Sequence, residues 1–302
     1  MSTSVKNRLL SRLSVFIGFL LGARAFVTFL LIFALYVSTF FLFNQEESLK
    51  SFVFDYKVHG IIFCSFLSIM AGGIINQFYD REKDKITKPF RSKFQSFLGQ
   101  KYYLYVYLTL NILSLGIAAF ISERVFVFFL IYQFLMWFYS HKLSKILVVN
   151  NLTFVGLSLY PFFGMLIYYQ TYSPHLMMMS VFLFLILLTI DIVKDLLTSN
   201  ADRIFGYDTI ANKFGIKTAK IVAIILLILN IVVSALIIKG NAVHYLMSYY
   251  FCVGMFIQVI VVYLLLNRTK FHSFSALNLL RLWVFIGILC MLSDGILTYL
   301  HY

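Results

Sequence analysis

The segment HLMMMSVFLFLILLTIDIVKD, residues 175–195, decides the class of fold. Its apolar run is long enough to cross the ~30 Å hydrocarbon core of a bilayer as a helix that rises ~1.5 Å per residue. Asp191 lies inside the apolar run, and Asp195 follows it four residues later. An ionisable residue at such a position is costly in a membrane and usually functional. The segment therefore predicts a membrane-spanning helix that carries functional carboxylates near one end.

The rest of the chain has the same apolar character. Of its 302 residues, 61% are hydrophobic and 12% are charged, whereas a soluble domain has ~25% charged residues. We expect an all-α, polytopic membrane protein with nine transmembrane helices in a bundle, forming a single membrane domain over residues 1–302. We expect residues 1–23 to be an N-terminal cytoplasmic or interfacial segment, because no small-residue cleavage site of a signal peptide follows a short apolar core. The predicted spans are residues 25–43, 58–79, 102–121, 125–141, 151–171, 175–194, 219–238, 246–266 and 278–299.

The lysines and arginines indicate the orientation in the membrane. With nine spans, 21 of the 25 basic residues lie on one side. The other four are Lys50, Lys57, Arg124 and Lys239. The positive-inside rule places the first side in the cytoplasm. The N-terminus and the long connections 80–101 and 195–218 are then cytoplasmic, and the C-terminus lies on the opposite side.

The net charge of +13 comes from basic residues that border the predicted spans. No soluble domain is expected that could present these residues to a nucleic acid, so a nucleic-acid partner is excluded. Anionic lipid headgroups and a phosphorylated substrate account for them better.

Another acidic cluster, which is the first along the chain, is NQFYDREKD at residues 76–84, and it closes the second predicted span. If this helix continues beyond the membrane, its turn of ~100° per residue puts Asn76, Asp80 and Asp84 on one face. Asp191 and Asp195 share a face for the same reason. Both clusters are on the cytoplasmic side in the predicted orientation, so two strips of oxygen ligands are expected to meet at one face of the membrane.

These acids suit a divalent cation and a diphosphate. Carboxylates repeated on one helical face repel each other unless cations compensate them. Mg²⁺ binds carboxylate and phosphate oxygens and commonly uses one or two protein carboxylates. We therefore expect the clusters to hold Mg²⁺ and a diphosphate. The alternative is that the acids only form solvated pairs with neighbouring cations, among them Lys85 and Lys194.

The first cluster and the segment after it resemble motifs of the UbiA superfamily of intramembrane prenyltransferases. The family motif N-D-x-x-D-x-x-x-D is similar to residues 76–84, with Gln77 at the usual position of an aspartate. The family segment N-K-P-x-R-P is similar to residues 87–92, with Thr87 and Ser92 as departures.

Two later regions carry the same resemblance. The family elements Y-S-x-x-L-K and G-N-L are similar to residues 139–143 and 150–152. The second acidic region of the family, often R-E-x-x-K-D-x-x-D-x-x-G-D-R-x-x-G-x-x-T, is similar to residues 190–209. Thr198 stands where the family has an acid, and Ala201 stands where it has a glycine.

The resemblance implies an enzyme that ionises a polyprenyl diphosphate with the help of Mg²⁺ and joins its allylic carbon to an acceptor. The implied metal ligands are Asn76, Asp80, Asp84, Asp191 and Asp195. The implied catalytic residues are these four aspartates and Tyr139, whose π-face would stabilise an allylic cation. The cations implied for diphosphate binding are Lys88, Arg91, Lys142, Lys194 and Arg203.

The implied partners are a polyprenyl diphosphate, a small acceptor and the membrane lipids. The acceptor is either an aromatic quinone precursor or a lipid of the prenylglyceryl phosphate type. A membrane transporter whose carboxylates bind a cation or metabolite is the alternative function. Two acidic clusters at one membrane face, each followed by a long basic connection, favour the enzyme.

Overall fold

The computed structural model describes residues 24–43, 49–95, 100–240, 245–267 and 269–300, and these residues form helices and connections without a β-strand. The segment 1–23 lies outside the described residues. The helices are α1 (Ala25–Ser38), α2 (Leu49–Phe54), α3 (Tyr56–Thr87), α4 (Pro89–Gln95), α5 (Gln100–Ile121), α6 (Glu123–His141), α7 (Val149–Tyr169), α8 (Pro174–Ile204), α9 (Ile210–Lys213), α10 (Ile216–Lys239), α11 (Tyr245–Leu266) and α12 (Lys270–Leu300). The predicted all-α class is confirmed.

Eight helices in the described part of the chain are long and apolar enough to cross a membrane. They are α1, extended by a π-helical turn at Thr39–Phe43, and α3, α5, α7, α8, α10, α11 and α12. The predicted span 125–141 is present as the helix α6, but α6 is not one of the eight, so the count of nine is not confirmed. Glu123 and Arg124 at its start, together with Gln133 and His141, lower its hydropathy. The protein is a multi-pass membrane protein.

The chain divides into two compact units. Residues 1–35 and 48–143 belong to the first unit, and residues 36–47 and 144–302 belong to the second. Each unit carries one of the two acidic clusters. The expectation of a single membrane domain stays a prediction.

In the first unit, α3 packs against both α5 and α6. Met70 and Ile74 of α3 form a buried apolar cluster with Tyr103 of α5. The interface between α3 and α5 also contains a polar contact, since the hydroxyl groups of Ser68 and Ser114 are hydrogen-bonded at 3.0 Å. Buried polar groups are costly unless they are paired in this way. The helix that carries the first acidic cluster is therefore fixed by apolar packing and by specific hydrogen bonds.

In the second unit, α8 packs against α7, α10 and α12. Ile186 and Val193 of α8 lie in one buried core with Leu227 of α10 and Leu280 of α12. These apolar side chains precede and interleave with the acids of α8. The core therefore fixes the helix that carries Asp191.

Both helices that carry acids extend beyond their apolar runs. The helix α3 has 32 residues and α8 has 31. The connections expected at residues 80–101 and 195–218 therefore begin as helix. This continuation gives the acids of each cluster a regular helical spacing, as the sequence argument assumed.

The helix α8 ends where its backbone enters the left-handed region. Gly206 has a φ of +70°, and the backbone N–H of Tyr207 donates to the carbonyl oxygen of Asp202 at 2.9 Å. This arrangement is a Schellman motif, for which glycine is favoured because it lacks a Cβ atom. The following segment is tied back to residues before α7, since the N–H of Asp208 donates to the carbonyl of Lys145 at 3.1 Å. The region after the second acidic cluster is therefore an ordered turn.

Candidate functional site

The first acidic cluster is a hydrogen-bonded strip on α3. Asn76 Nδ2 donates to Asp80 Oδ2 at 2.9 Å, which confirms that these two side chains share a face. Asp84 is buried, and its Oδ1 accepts hydrogen bonds from Lys88 Nζ at 2.8 Å and from Thr87 Oγ1 at 3.4 Å. The predicted metal ligand Asp84 is thus paired with Lys88, which was predicted to bind the diphosphate.

Other predicted residues of the first unit lie around the end of α6. Tyr139 is half-buried, and Lys142 is exposed directly after the last helical turn. The ring of Tyr79, within the first cluster, contacts the ring of His141 with 5.4 Å between centroids. This contact brings the tyrosine motif of α6 next to the first cluster. The side chain of Arg91 lies outside the described residues.

The second acidic cluster is a buried network that joins α7 to α8. Asn151 Nδ2 donates to Asp191 Oδ2 and to Asp195 Oδ2, each at 2.8 Å. Lys194 Nζ pairs with Asp191 Oδ1 and lies 3.7 Å from Asp195 Oδ1. Asp191 is 1% exposed and Asp195 is 5% exposed. Two carboxylates are therefore held side by side by one amide and one ammonium group.

The next turns of α8 carry a third buried acid. Asp202 is buried, and its Oδ2 accepts a hydrogen bond from Thr198 Oγ1 at 2.7 Å. Thr198 occupies the position where the resembling family has an acid, and here its hydroxyl binds a carboxylate. The predicted diphosphate-binding residue Arg203 is exposed in the last turn of the helix.

Solvated ion pairs, which are the alternative to a binding site, account for only some of the acids in the two clusters. Glu82 and Lys85 form an exposed pair at 2.8 Å, as that alternative expects. Asp191 also pairs with a neighbouring lysine, but both it and Asp195 are withdrawn from solvent. Burying a carboxylate costs free energy that a surface pair would avoid. The second cluster is therefore a built site rather than a set of solvated charges.

The donor atoms of the second cluster fit Mg²⁺. No three His, Cys, Asp or Glu side chains come together as a metal-binding group within the part of the chain that the structure describes. The cluster instead offers the carboxylates of Asp191 and Asp195, and beside them the amide oxygen of Asn151, which is buried and accepts no hydrogen bond. Mg²⁺ prefers such hard oxygens and typically takes one or two carboxylates, with waters and phosphate oxygens completing its shell.

Asn151 is the site residue that the sequence reasoning did not select. It belongs to the Asn150-Asn151-Leu152 element, which was noted only for its resemblance to G-N-L. Its 40-residue separation from Asp191 gives no local pattern by which a pairing could be read. The sequence offered one indication of its role. Asn151 is an amide in the first turn of an apolar span, on the predicted cytoplasmic side, where the acidic clusters also lie.

Comparison with known proteins gives the family. Residues 50–285 match the model of the UbiA prenyltransferase family. The chain is similar to the digeranylgeranylglyceryl phosphate synthase of Pyrococcus furiosus, with 28% identity over 191 residues, which are 61% of this chain and 67% of that protein. It is also similar to the synthase of that name from Korarchaeum cryptofilum, with 25% identity over 231 residues, which are 76% of this chain and 82% of that protein.

Solved structures show the same fold. A structure of digeranylgeranylglyceryl phosphate synthase covers 93% of this chain and 99% of its own, with a TM-score of 0.69 and 18% identity. A UbiA homologue from Archaeoglobus fulgidus bound to GPP and Mg²⁺ covers 91% of this chain and 99% of its own, with a TM-score of 0.64 and 16% identity. The family match spans most of the sequence, and the chain therefore belongs to the UbiA prenyltransferase family and is a membrane-embedded prenyltransferase.

Proposed function

We propose that this enzyme transfers a polyprenyl group from a prenyl diphosphate to a lipid of the prenylglyceryl phosphate type and releases diphosphate, with Mg²⁺ as its cofactor. The names of the relatives from Pyrococcus furiosus and Korarchaeum cryptofilum support this acceptor rather than an aromatic quinone precursor. The Mg²⁺ and GPP bound to the Archaeoglobus fulgidus homologue support the cofactor and the donor.

The observation that carries the proposal is the buried network of Asp191, Asp195, Asn151 and Lys194. Two carboxylates and an amide oxygen are a ligand set for a divalent cation, and the ammonium group beside them is suited to a phosphate oxygen. A bound divalent cation would neutralise the charge that grows on the departing diphosphate.

In the proposed reaction, the bond between the allylic carbon and the diphosphate oxygen breaks, and the leaving diphosphate takes the electron pair. A hydroxyl oxygen of the acceptor then bonds to the allylic carbon and loses its proton to the released diphosphate. Asp191 and Asp195 would hold one Mg²⁺, and Asn76, Asp80 and Asp84 of the first cluster would hold the other.

The remaining predicted residues have supporting roles in this proposal. Tyr139 would stabilise the allylic cation through its π-face. The cations proposed to bind diphosphate are Lys88, Arg91, Lys142, Lys194 and Arg203. Lys88 and Lys194 already pair with acids of the two clusters, so each would exchange part of that pairing for a phosphate oxygen.

We also propose that the N-terminus and both acidic clusters face the cytoplasm and that the C-terminus lies on the opposite side. The excess of basic residues on that side supports the orientation. A cysteine introduced at Lys213, in the connection after α8, should react with a membrane-impermeant maleimide only after the cytoplasmic side is opened. Labelling of intact cells would contradict this orientation.

The test of the function is turnover by the purified protein in lipid nanodiscs. With Mg²⁺, geranylgeranyl diphosphate and geranylgeranylglyceryl phosphate, we expect release of one diphosphate for each ether lipid detected by mass spectrometry. Chelation by EDTA should stop the reaction, and added Mg²⁺ should restore it.

Two outcomes would contradict the proposal. Turnover with a hydroxybenzoate in place of the lipid would assign the enzyme to aromatic acceptors. Flux of a solute through proteoliposomes without diphosphate release would support the transporter alternative instead.

A further inference from the structure

Arg281 is a charged residue within an apolar stretch of α12, LNLLRLWVFIGIL at residues 277–289. The helix begins at Lys270, and Arg281 lies three residues after the start of the predicted span at residue 278. An ionisable residue in an apolar segment of a membrane protein is costly unless it has a partner or a ligand. The motifs that defined the candidate site do not include it.

Arg281 lies at the border of the packed face of α12. The helix packs against α8, and both Leu277 and Leu280 of α12 are buried in the core of the second unit. Residues four apart share a face of a helix, so Arg281 projects from the same side as Leu277. Arg281 is nevertheless exposed. The guanidinium therefore emerges at the edge of the packed interface.

The charged groups around Arg281 leave the N–H donors of its guanidinium available to bind a ligand. It lies within electrostatic range of Asp191. The Asp191 oxygens already accept hydrogen bonds, Oδ1 from Lys194 and Oδ2 from Asn151. Within the described part of the chain, Arg281 makes no hydrogen bond or ion pair.

A guanidinium in these surroundings is suited to an anionic ligand. Its planar fork can donate two parallel hydrogen bonds to phosphate oxygens, and it is less strongly hydrated than an ammonium group. We infer that Arg281 is a phosphate-binding residue of the site at Asp191, in addition to the cations named above. This inference rests on the proposed function, because both proposed substrates carry phosphate.

The phosphate has two sources, the diphosphate of the prenyl donor and the phosphate monoester of the lipid acceptor. Steady-state kinetics of the purified enzyme, with each substrate varied in turn, distinguish them. Arg281→Gln removes the charge, and Arg281→Lys keeps the charge but removes the fork. Lys270→Gln is the matched control, since Lys270 is an exposed cation on the same helix.

We expect Arg281→Gln to raise the KM of one substrate by about tenfold to a hundredfold, the effect of losing a charge-assisted hydrogen bond. Arg281→Lys should recover part of this loss, and Lys270→Gln should behave like the wild type. A rise confined to the prenyl diphosphate assigns Arg281 to the donor, and a rise confined to the lipid assigns it to the acceptor. Unchanged KM values together with a lower Tm would reduce Arg281 to a structural counter-charge of Asp191 and overturn the inference.

A binding measurement keeps the inference separate from the proposed function. Inorganic diphosphate and glycerol phosphate, each added without the second substrate, should raise the Tm of the wild type, and Arg281→Gln should abolish the rise for one of them. If the wild type shows no turnover but this difference is observed, the proposed reaction fails and the phosphate site stands. If both anions protect Arg281→Gln as well as they protect the wild type, the phosphate site is wrong.

Discussion

Asn151 shows how much a single amide can organise in this protein. Its two N–H groups donate to Asp191 and Asp195 at 2.8 Å each. Without the amide, two carboxylates on one helical face repel each other, and Lys194, which pairs with Asp191, opposes only part of that repulsion. In the proposed metal site, Asn151 would position the carboxylate ligands and offer Oδ1.

We predict that Asn151→Ala lowers turnover and metal affinity by about 10- to 100-fold, as the loss of groups that orient metal ligands typically does. The readout is the Mg²⁺ concentration for half-maximal turnover, together with Mg²⁺ binding by calorimetry in the absence of substrate. Asn151→Asp should retain more metal affinity than Asn151→Ala, because it keeps an oxygen ligand.

The control for this substitution is Asn200→Ala, which removes an exposed amide from the same helix that carries the acids. It should leave the Mg²⁺ dependence unchanged. If Asn151→Ala lowers only the Tm and the Mg²⁺ dependence stays that of the wild type, Asn151 has a structural role alone.

Gln77 is a second residue whose surroundings differ from what its motif suggests. It stands where the resembling family has an aspartate, and in this structure it is buried with an Oε1 that accepts no hydrogen bond. A neutral amide at this buried position avoids a further charge beside Asp80. The first cluster therefore depends on fewer carboxylates than its family motif would provide.

At the scale of helices, close packing around one aromatic pair holds α11 against α12. Tyr250 and Trp283 stack with 4.5 Å between ring centroids and an interplanar angle of 2°. A Cβ atom on Gly287 would lie 2.6 Å from Tyr250 Oη. The stacked partner prevents the tyrosine ring from moving away freely, so glycine is required at this crossing.

We predict that Gly287→Ala destabilises the protein by about 1–3 kcal/mol, the usual cost of overpacking a filled core. The measurement is the unfolding midpoint in detergent, which should fall relative to the wild type. Gly116→Ala is the matched control, since a Cβ there would meet no atom within 4 Å. In a helix interior that change stabilises by up to ~1 kcal/mol. Equal midpoints for the two variants would show that the tyrosine can relax without cost.

The two compact units, considered as a whole molecule, each contribute one acidic cluster to the proposed reaction. The common side of the membrane predicted for the two clusters and the family motifs both indicate a shared role. If both clusters act on one diphosphate in one transition state, removing either cluster should lower the activity nearly as much as removing both.

We predict that Asp80→Asn and Asp191→Asn each lower kcat/KM severely and that the double variant is little worse than the more severe single variant. Clusters that act independently would instead give losses that multiply. The readout is diphosphate release at saturating Mg²⁺. Glu82→Gln is the control within the first cluster, because Glu82 forms only an exposed pair with Lys85, and it should retain nearly full activity.

Much of this fold follows from local pattern. Apolar runs of membrane-spanning length predicted the helices, because every backbone polar group in a bilayer must be bonded within its own segment. The boundaries were less accurate at Thr87 and Ile204, where α3 and α8 continue past their apolar runs. Hydropathy marks where a helix leaves the hydrocarbon, whereas its end depends on capping such as the turn at Gly206.

The sequence by itself determined the all-α membrane class, the position of each acid on its helix and the family motifs, since these depend on residues a few positions apart. The tertiary structure decided which partners those acids have. Asn151 reaches Asp191 and Asp195 from another helix, and Arg281 belongs to a third helix that packs against the one that carries these acids. Such contacts follow from how α7, α8 and α12 pack, and helix packing is set by the fit of side chains along whole surfaces, which no local spacing in the sequence records.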